Sequence, residues 1–75
     1  MNYRIGDILR YTFAPNRNRS LRAVQERAKV HHHLVVGFHT EENGDYYEMI
    51  HLESGEKDDW HAILIDKNTK FVKVQ

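Results

Sequence analysis

Three consecutive histidines, His31, His32 and His33, lead into the most apolar run of the chain, and His39 stands near its far end, in AKVHHHLVVGFHT. A further histidine, His51, lies in MIHLES beside Glu53 and Ser54. These residue types can do chemistry. An imidazole titrates near neutrality, and a neighbouring carboxylate raises its pKa, so that it can donate to phosphate or shuttle protons. Histidines two apart on a strand share a face, and two imidazoles completed by a third imidazole or a carboxylate are ligands that zinc accepts. The plainest reading is an ordinary polar sheet face, on which a cross-strand His–Glu contact contributes only a fraction of a kcal/mol. Acid–base or anion-binding chemistry ranks ahead of metal binding, because the chain has no cysteine and no HExxH pattern. No metal and no cofactor is expected.

Other chemical signatures are missing from the chain. It contains no phosphate-cradling glycine loop, no dinucleotide fingerprint and no nucleophile elbow. Ser20 and Ser54 have no triad context. Trp60, between Asp59 and His61, reads as a core or rim anchor, and Tyr3, Tyr11, Tyr46 and Tyr47 read as packing residues.

The charges balance in total but are separated along the chain. Residues 15–29 carry Arg17, Arg19, Arg22, Arg27 and Lys29 against Glu26, a sum of +4. Residues 41–59 carry eight carboxylates against Lys57, a sum of −7. Such a division creates a local field despite overall neutrality. It fits either two solvated segments or a basic surface that meets phosphates.

With 75 residues there is room for one domain spanning 1–75. A chain of this length buries only about 60% of the surface its unfolded form exposes. Without disulfides to assist, a homodimer is one way to complete a core. The opening residues MNYRIGDILR match neither a signal peptide nor a membrane span, so a soluble cytoplasmic protein without membrane contact is expected.

The elements that must position the histidines are strands. Leu9, Tyr11 and Phe13 alternate with Arg10 and Thr12 in a half-buried strand, entered by a bend at Gly6-Asp7 and closed by Pro15. Ser20 can cap a short helix bearing Leu21, Val24 and Ala28, or the same residues form a basic loop. Val30 to Thr40 is a second strand, ENGD a hairpin turn, and Tyr46 to Glu53 a third strand. Trp60 to Asp66 and Phe71 to Val74 supply a fourth and a fifth. The expected fold is mostly β, a small five-stranded antiparallel SH3-like barrel or roll.

The hairpin register determines where the histidines point. A three-residue loop with Gly44 in the left-handed position sets Val36 opposite Ile50 and Leu34 opposite Leu52. Leu34, Val36 and Phe38 then face the core. His31, His33, Val35 and His39 face away from it with Tyr47, Met49, His51 and Glu53. That register pairs His33 with Glu53 and Val35 with His51. It gathers His31, His33, His51 and Glu53 at the sheet end where the basic segment joins.

The order IGDILRYTF, basic loop, KVHHHLVVGF, YYEMIHLESGEK and DDWHAILID resembles the MazF/PemK-type toxin family. The resemblance covers most of the chain in pattern, and each of its motifs is short. It implies an SH3-like barrel, single-stranded RNA as substrate in a groove, ribonuclease activity, dimerisation and silencing by an antitoxin. It also implies that Lys29 stands at the family's basic catalytic position and that His51, Leu52, Glu53 and Ser54 fall on its Pro-Leu-Thr-Ser turn. Lys29 replaces the family's arginine and Glu53 its threonine.

The expectation is therefore a binding module with single-stranded RNA as leading ligand, rather than an active ribonuclease. Arg17, Arg19, Arg22, Arg27, His31 and Ser54 are its candidate binding residues. Any catalysis would rest on His33, His51, Glu53 and Lys29. The alternative is a protein-interaction module, or a small inhibitor, docking through the acidic stretch Glu53 to Asp59.

Overall fold

A computed structural model describes residues 1–13 and 29–75, with the side chains of residues 13 and 29 excepted. The elements are β1 (Ile8–Phe13), β2 (Lys29–Glu41), β3 (Gly44–His51), β4 (Lys57–His61), α1 (Ala62–Asp66) and β5 (Phe71–Lys73). All strand pairs are antiparallel in a single sheet of order β4-β3-β2-β1-β5. The last strand thus returns to the first, as in an SH3-like roll, but no ladder joins the β4 and β5 edges. The fold is mostly β, as expected. Arg17, Arg19, Arg22 and Arg27, Pro15 and the helix or loop expected from Ser20 lie outside the described residues. Among the described residues no helix is long and apolar enough to cross a membrane.

The fourth strand differs from the sequence expectation. β4 occupies Lys57–His61, and the apolar run AILID after it is the helix α1. A short apolar run does not distinguish strand from helix by pattern. Here the spacing decides: Ala62 and Ile65 lie three apart on one helical face and are buried, while Ile63 and Leu64 are exposed. β4, by contrast, is a charged edge strand that resists further pairing.

The β2–β3 register also differs. Glu41 pairs with Gly44, so the connection is the two residues Glu42 and Asn43. Gly44 takes a φ of +125°, and a Cβ there would sit 3.0 Å from the His61 ring. His61 Nε2 in turn meets the Asn43 carbonyl at 2.7 Å and pins the turn. The register then slips between Val35 and Gly37, leaving Val36 as the extra residue of a bulge. Val35 consequently faces Met49, His33 faces His51, and Phe38 faces Tyr47.

Up to the bulge this register reverses the expected faces. Beyond it Phe38 lies on the side of Tyr47, whereas His39, expected to share a face with His31 and His33, lies on the opposite side with Tyr46 and Glu48. The buried core is Leu9, Val35, Tyr47, Met49, Ala62, Ile65 and Phe71, with Tyr3, Tyr11 and Trp60 packed against it. Leu34, Val36 and Ile50 are only half-buried, and Phe38 and Leu52 are exposed. The face that carries His31, His33 and His51 is the core face. Each large aliphatic side chain fully buried there contributes about 1.5–3 kcal/mol.

The segment before β1 supports the bulge. Gly6 N–H donates to the Val35 carbonyl and Val35 N–H to the Asp7 carbonyl, both at 2.9 Å. The Asp7 carboxylate accepts the Arg4 backbone N–H at 2.9 Å, which holds its pKa below the usual value, with Lys73 assisting at 3.3 Å. Tyr47 fastens the same segment: its hydroxyl donates to Asp66 Oδ1 at 2.6 Å and accepts the Tyr3 N–H at 3.2 Å. Burial, reinforced by Asp66, pushes the Tyr47 phenol up to about 12.

Candidate functional site

His31, His33 and His51 share the core face near the open end of β2. They line a pocket of about 460 Å³ with Tyr11, Trp60 and Phe71. Tyr11 comes from β1 and pairs with His31, Phe71 comes from β5, Trp60 from β4, and Leu64 of α1 forms part of the wall. The pocket is thus built by side chains from all five strands and the helix. Asp58 contributes a carboxylate at its border.

His33 is the most enclosed of the imidazoles, 6% exposed. Its ring lies 5.2 Å from His51, 5.9 Å from Phe71 and 5.9 Å edge-on from Trp60, centroid to centroid. Burial lowers its pKa, and the neighbouring His51 and His31 act in the same direction. His33 therefore tends to the neutral form, with one ring nitrogen a donor and the other an acceptor. Among the described residues, neither Nδ1 of His33 nor Nε1 of Trp60 has a hydrogen-bond partner, although both are buried. Buried polar atoms are nearly always paired, and both of these side chains line the pocket.

On the adjoining wall a chain of polar contacts runs outward. Nδ1 of His31 lies 2.8 Å from Nε2 of His51, and Nδ1 of His51 lies 2.6 Å from Ser54 Oγ. Glu53 Oε1 is 3.5 Å from His51 Nε2. The same carboxylate accepts the His32 backbone N–H at 2.7 Å and meets His32 Nδ1 at 2.6 Å. These contacts with His32, the ring first and the backbone second, hold the Glu53 carboxyl down at about 2. Glu53 is therefore an anion throughout the neutral range, fixed by its neighbour.

The structure brings together His31, His33, His51, Glu53 and Ser54, as expected, but not in the expected pairs. His33 pairs with His51 rather than Glu53, and Val35 with Met49 rather than His51. The bulge at Val36 and the two-residue turn move β3 along β2, so that Glu53 passes the end of the ladder and folds onto His32. Lys29 begins β2 opposite Phe13, two residues from His31. His32, which has no role in the expected site, holds Glu53, while Tyr11, expected as a packing residue, and Trp60, expected as a core or rim anchor, line the pocket. Trp60 also packs against the core. No signal in the sequence joins Phe71, Asn68 or Leu64 to this site, because they arrive from the far end of the chain.

One potential ligand atom from each of His31, His51 and Glu53 falls within 4.8 Å of the other two. The site thus has three assets: an aromatic pocket, two unpartnered buried polar atoms, and a convergent His–His–carboxylate group. No family model, no curated protein and no solved structure matches the chain.

Proposed function

We propose that the chain is a single-stranded RNA-binding module in which an unstacked base enters the pocket and the basic segment contacts the flanking phosphates. The observation that carries this reading is the pair of buried, unpartnered groups, His33 Nδ1 and Trp60 Nε1, on a pocket walled by aromatic rings. A nucleobase matches both features. It has a π face for Tyr11, Phe71 and Trp60, and edge donors and acceptors for the imidazole and indole nitrogens. The volume lies within the range of about 300–1,000 Å³ usual for small-ligand sites.

Electrostatics favours a base over a phosphate inside. Asp58 borders the pocket and repels an anion, but its carboxylate can accept from the exocyclic amino group of a base. The phosphates find their partners elsewhere. Tyr11 and His31 line the pocket as a pair, and the next-but-one pair, Phe13 with Lys29, bounds the segment carrying Arg17, Arg19, Arg22 and Arg27. The resemblance to the MazF/PemK-type family agrees with RNA as the ligand class.

The test is fluorescence polarisation of labelled single-stranded RNA at low and moderate salt, with the RNA checked on a gel afterwards. Each phosphate neutralised contributes a slope of about −0.7 in log K against log salt for a single strand. Binding that weakens steeply with salt and falls when Arg17, Arg19 and Arg22 are replaced together is the expected result. Flat polarisation at both salts would overturn the proposal. It would favour the protein-interaction alternative, for which Glu56, Asp58 and Asp59 present exposed carboxylates.

A further inference from the structure

We infer that His31, His51 and Glu53 form a binding site for a zinc-type divalent cation on the wall of the pocket. The inference does not depend on RNA being the ligand. Its first support is the spacing of the donor atoms. Nδ1 of His31 and Nε2 of His51 are 2.8 Å apart, and Oε1 of Glu53 is 3.5 Å from the same Nε2. A tetrahedral zinc ion with bonds of about 2.0–2.2 Å sets neighbouring donors roughly 3.3–3.5 Å apart. The Glu53–His51 separation already has that value. The two part-buried imidazoles need to part by about half an ångström, and the His31 and Glu53 donors, within 4.8 Å of each other, close onto the same ion.

The second support lies behind the donors. Metal-ligating histidines engage their other ring nitrogen in a hydrogen bond, and ligating carboxylates are themselves hydrogen-bonded. Here Nδ1 of His51 lies 2.6 Å from Ser54 Oγ, and in the tautomer that donates this bond the lone pair of Nε2 faces His31. Glu53 is oriented from the rear by His32 through its backbone N–H and its ring. Oε1 retains a lone pair for an ion while it accepts that N–H. Both supports come from residues next in sequence to the donors, so the strand end and the HLES turn form one unit.

The donor set selects the class of ion. Two imidazoles and one carboxylate suit zinc and its first-row neighbours, whereas magnesium and calcium require mainly oxygen ligands. Three protein ligands leave a fourth position free, as in zinc sites that polarise a bound molecule. His31 and His51 both line the pocket.

The test titrates the chelator-treated full chain, without RNA, with Zn²⁺ against a chromophoric competitor, and repeats it with Mg²⁺. One equivalent of Zn²⁺ and no Mg²⁺ is expected to bind. His31→Ala and His51→Ala each abolish the binding, Ser54→Ala weakens it about 10- to 100-fold, and His39→Ala leaves it unchanged. Ring-nitrogen NMR of the unaltered protein supplies a readout that needs no variant: Zn²⁺ shifts the signals of His31 and His51 and leaves those of His39 in place. Absence of tight binding, or equal loss in His39→Ala, or Zn²⁺ shifts spread over all six histidines, would overturn the inference. Because the titration contains no RNA, either result leaves the RNA proposal to be judged by polarisation alone.

Discussion

His31 and His51 meet diagonally across the β2–β3 ladder, Nδ1 to Nε2 at 2.8 Å, while the directly paired residue, His33, turns its ring into the aromatic pocket. Two neighbouring imidazoles on one strand face thus have different environments. His31 joins a polar chain that ends at Ser54 and Glu53, whereas His33 lies among Trp60, Phe71 and His51. One wall of the pocket is a hydrogen-bonded network, and the other is an apolar enclosure containing unpartnered nitrogens.

If a base enters that enclosure, the indole N–H of Trp60 donates to it. Trp60→Phe keeps an aromatic ring and removes the donor. Single-stranded RNA affinity is then expected to fall roughly 2- to 12-fold, the equivalent of one net hydrogen bond of 0.5–1.5 kcal/mol. Fluorescence polarisation measures it, and an unchanged affinity would exclude Trp60 from base recognition.

The reversal of faces makes a prediction about stability. Met49 is fully buried and Ile50, its neighbour on β3, is not. Met49→Ala is expected to cost about 2–5 kcal/mol, and Ile50→Ala clearly less. Urea unfolding of the two variants compares them directly. The opposite order would restore the register in which Val36 faces Ile50.

Tyr47 ties the amino-terminal segment to α1 through its hydroxyl. Tyr47→Phe leaves the ring packing and deprives both Asp66 and the Tyr3 N–H of a partner. The expected loss is about 1–3 kcal/mol, together with faster hydrogen exchange at the Tyr3 amide. A stability loss with unchanged exchange there would show that the hydroxyl does not fasten the segment.

His39 provides a pH dependence away from the pocket. Its Nε2 meets Glu41 at 2.8 Å and its Nδ1 meets Glu48 at 2.9 Å, while Tyr46 stacks on its ring. The two carboxylates, Glu41 first, raise its pKa above the ordinary 6.5, and Asp59 adds to the effect. Glu48 is lowered from the ordinary 4.5 by His39 first and by Lys57 next. A raised histidine stabilises fully below its unfolded pKa and loses that contribution as pH rises through the folded value. A lowered carboxylate stabilises above its unfolded pKa and loses the contribution as pH falls through the folded value. The difference in melting temperature between the unaltered protein and His39→Asn should therefore be largest between about pH 4.5 and 6.5 and narrow on either side. A difference that is flat with pH would mean the pair is not ionic.

Much of the fold was legible in local pattern. The alternation of Leu9 and Tyr11, the bend at Gly6-Asp7, the β-branched run of β2 and the ENGD turn all lie within a few residues of what they specify. The common face of His31, His33 and His51 was legible too, because side chains two apart on a strand point the same way. The run AILID was not, since its four apolar residues suit a strand as well as a helix until Ala62 and Ile65 find the core.

By itself, then, the sequence determined the first three strands, the hairpin and the clustering of imidazoles with Glu53 and Ser54. Tertiary structure alone decided which face of the hairpin is buried. Leu34, Val36 and Ile50 make one face look more apolar than the face of His33 and Val35. Hydrophobic burial, however, depends on what arrives to cover a surface. Leu9, Ile65 and Phe71 come from β1, α1 and β5 to cover the histidine face. The single extra residue at Val36 lets Val35 and Phe38 share that face with Met49 and Tyr47. A one-residue slip redirects every side chain beyond it, and so it places the histidines on the wall of a pocket instead of an open surface.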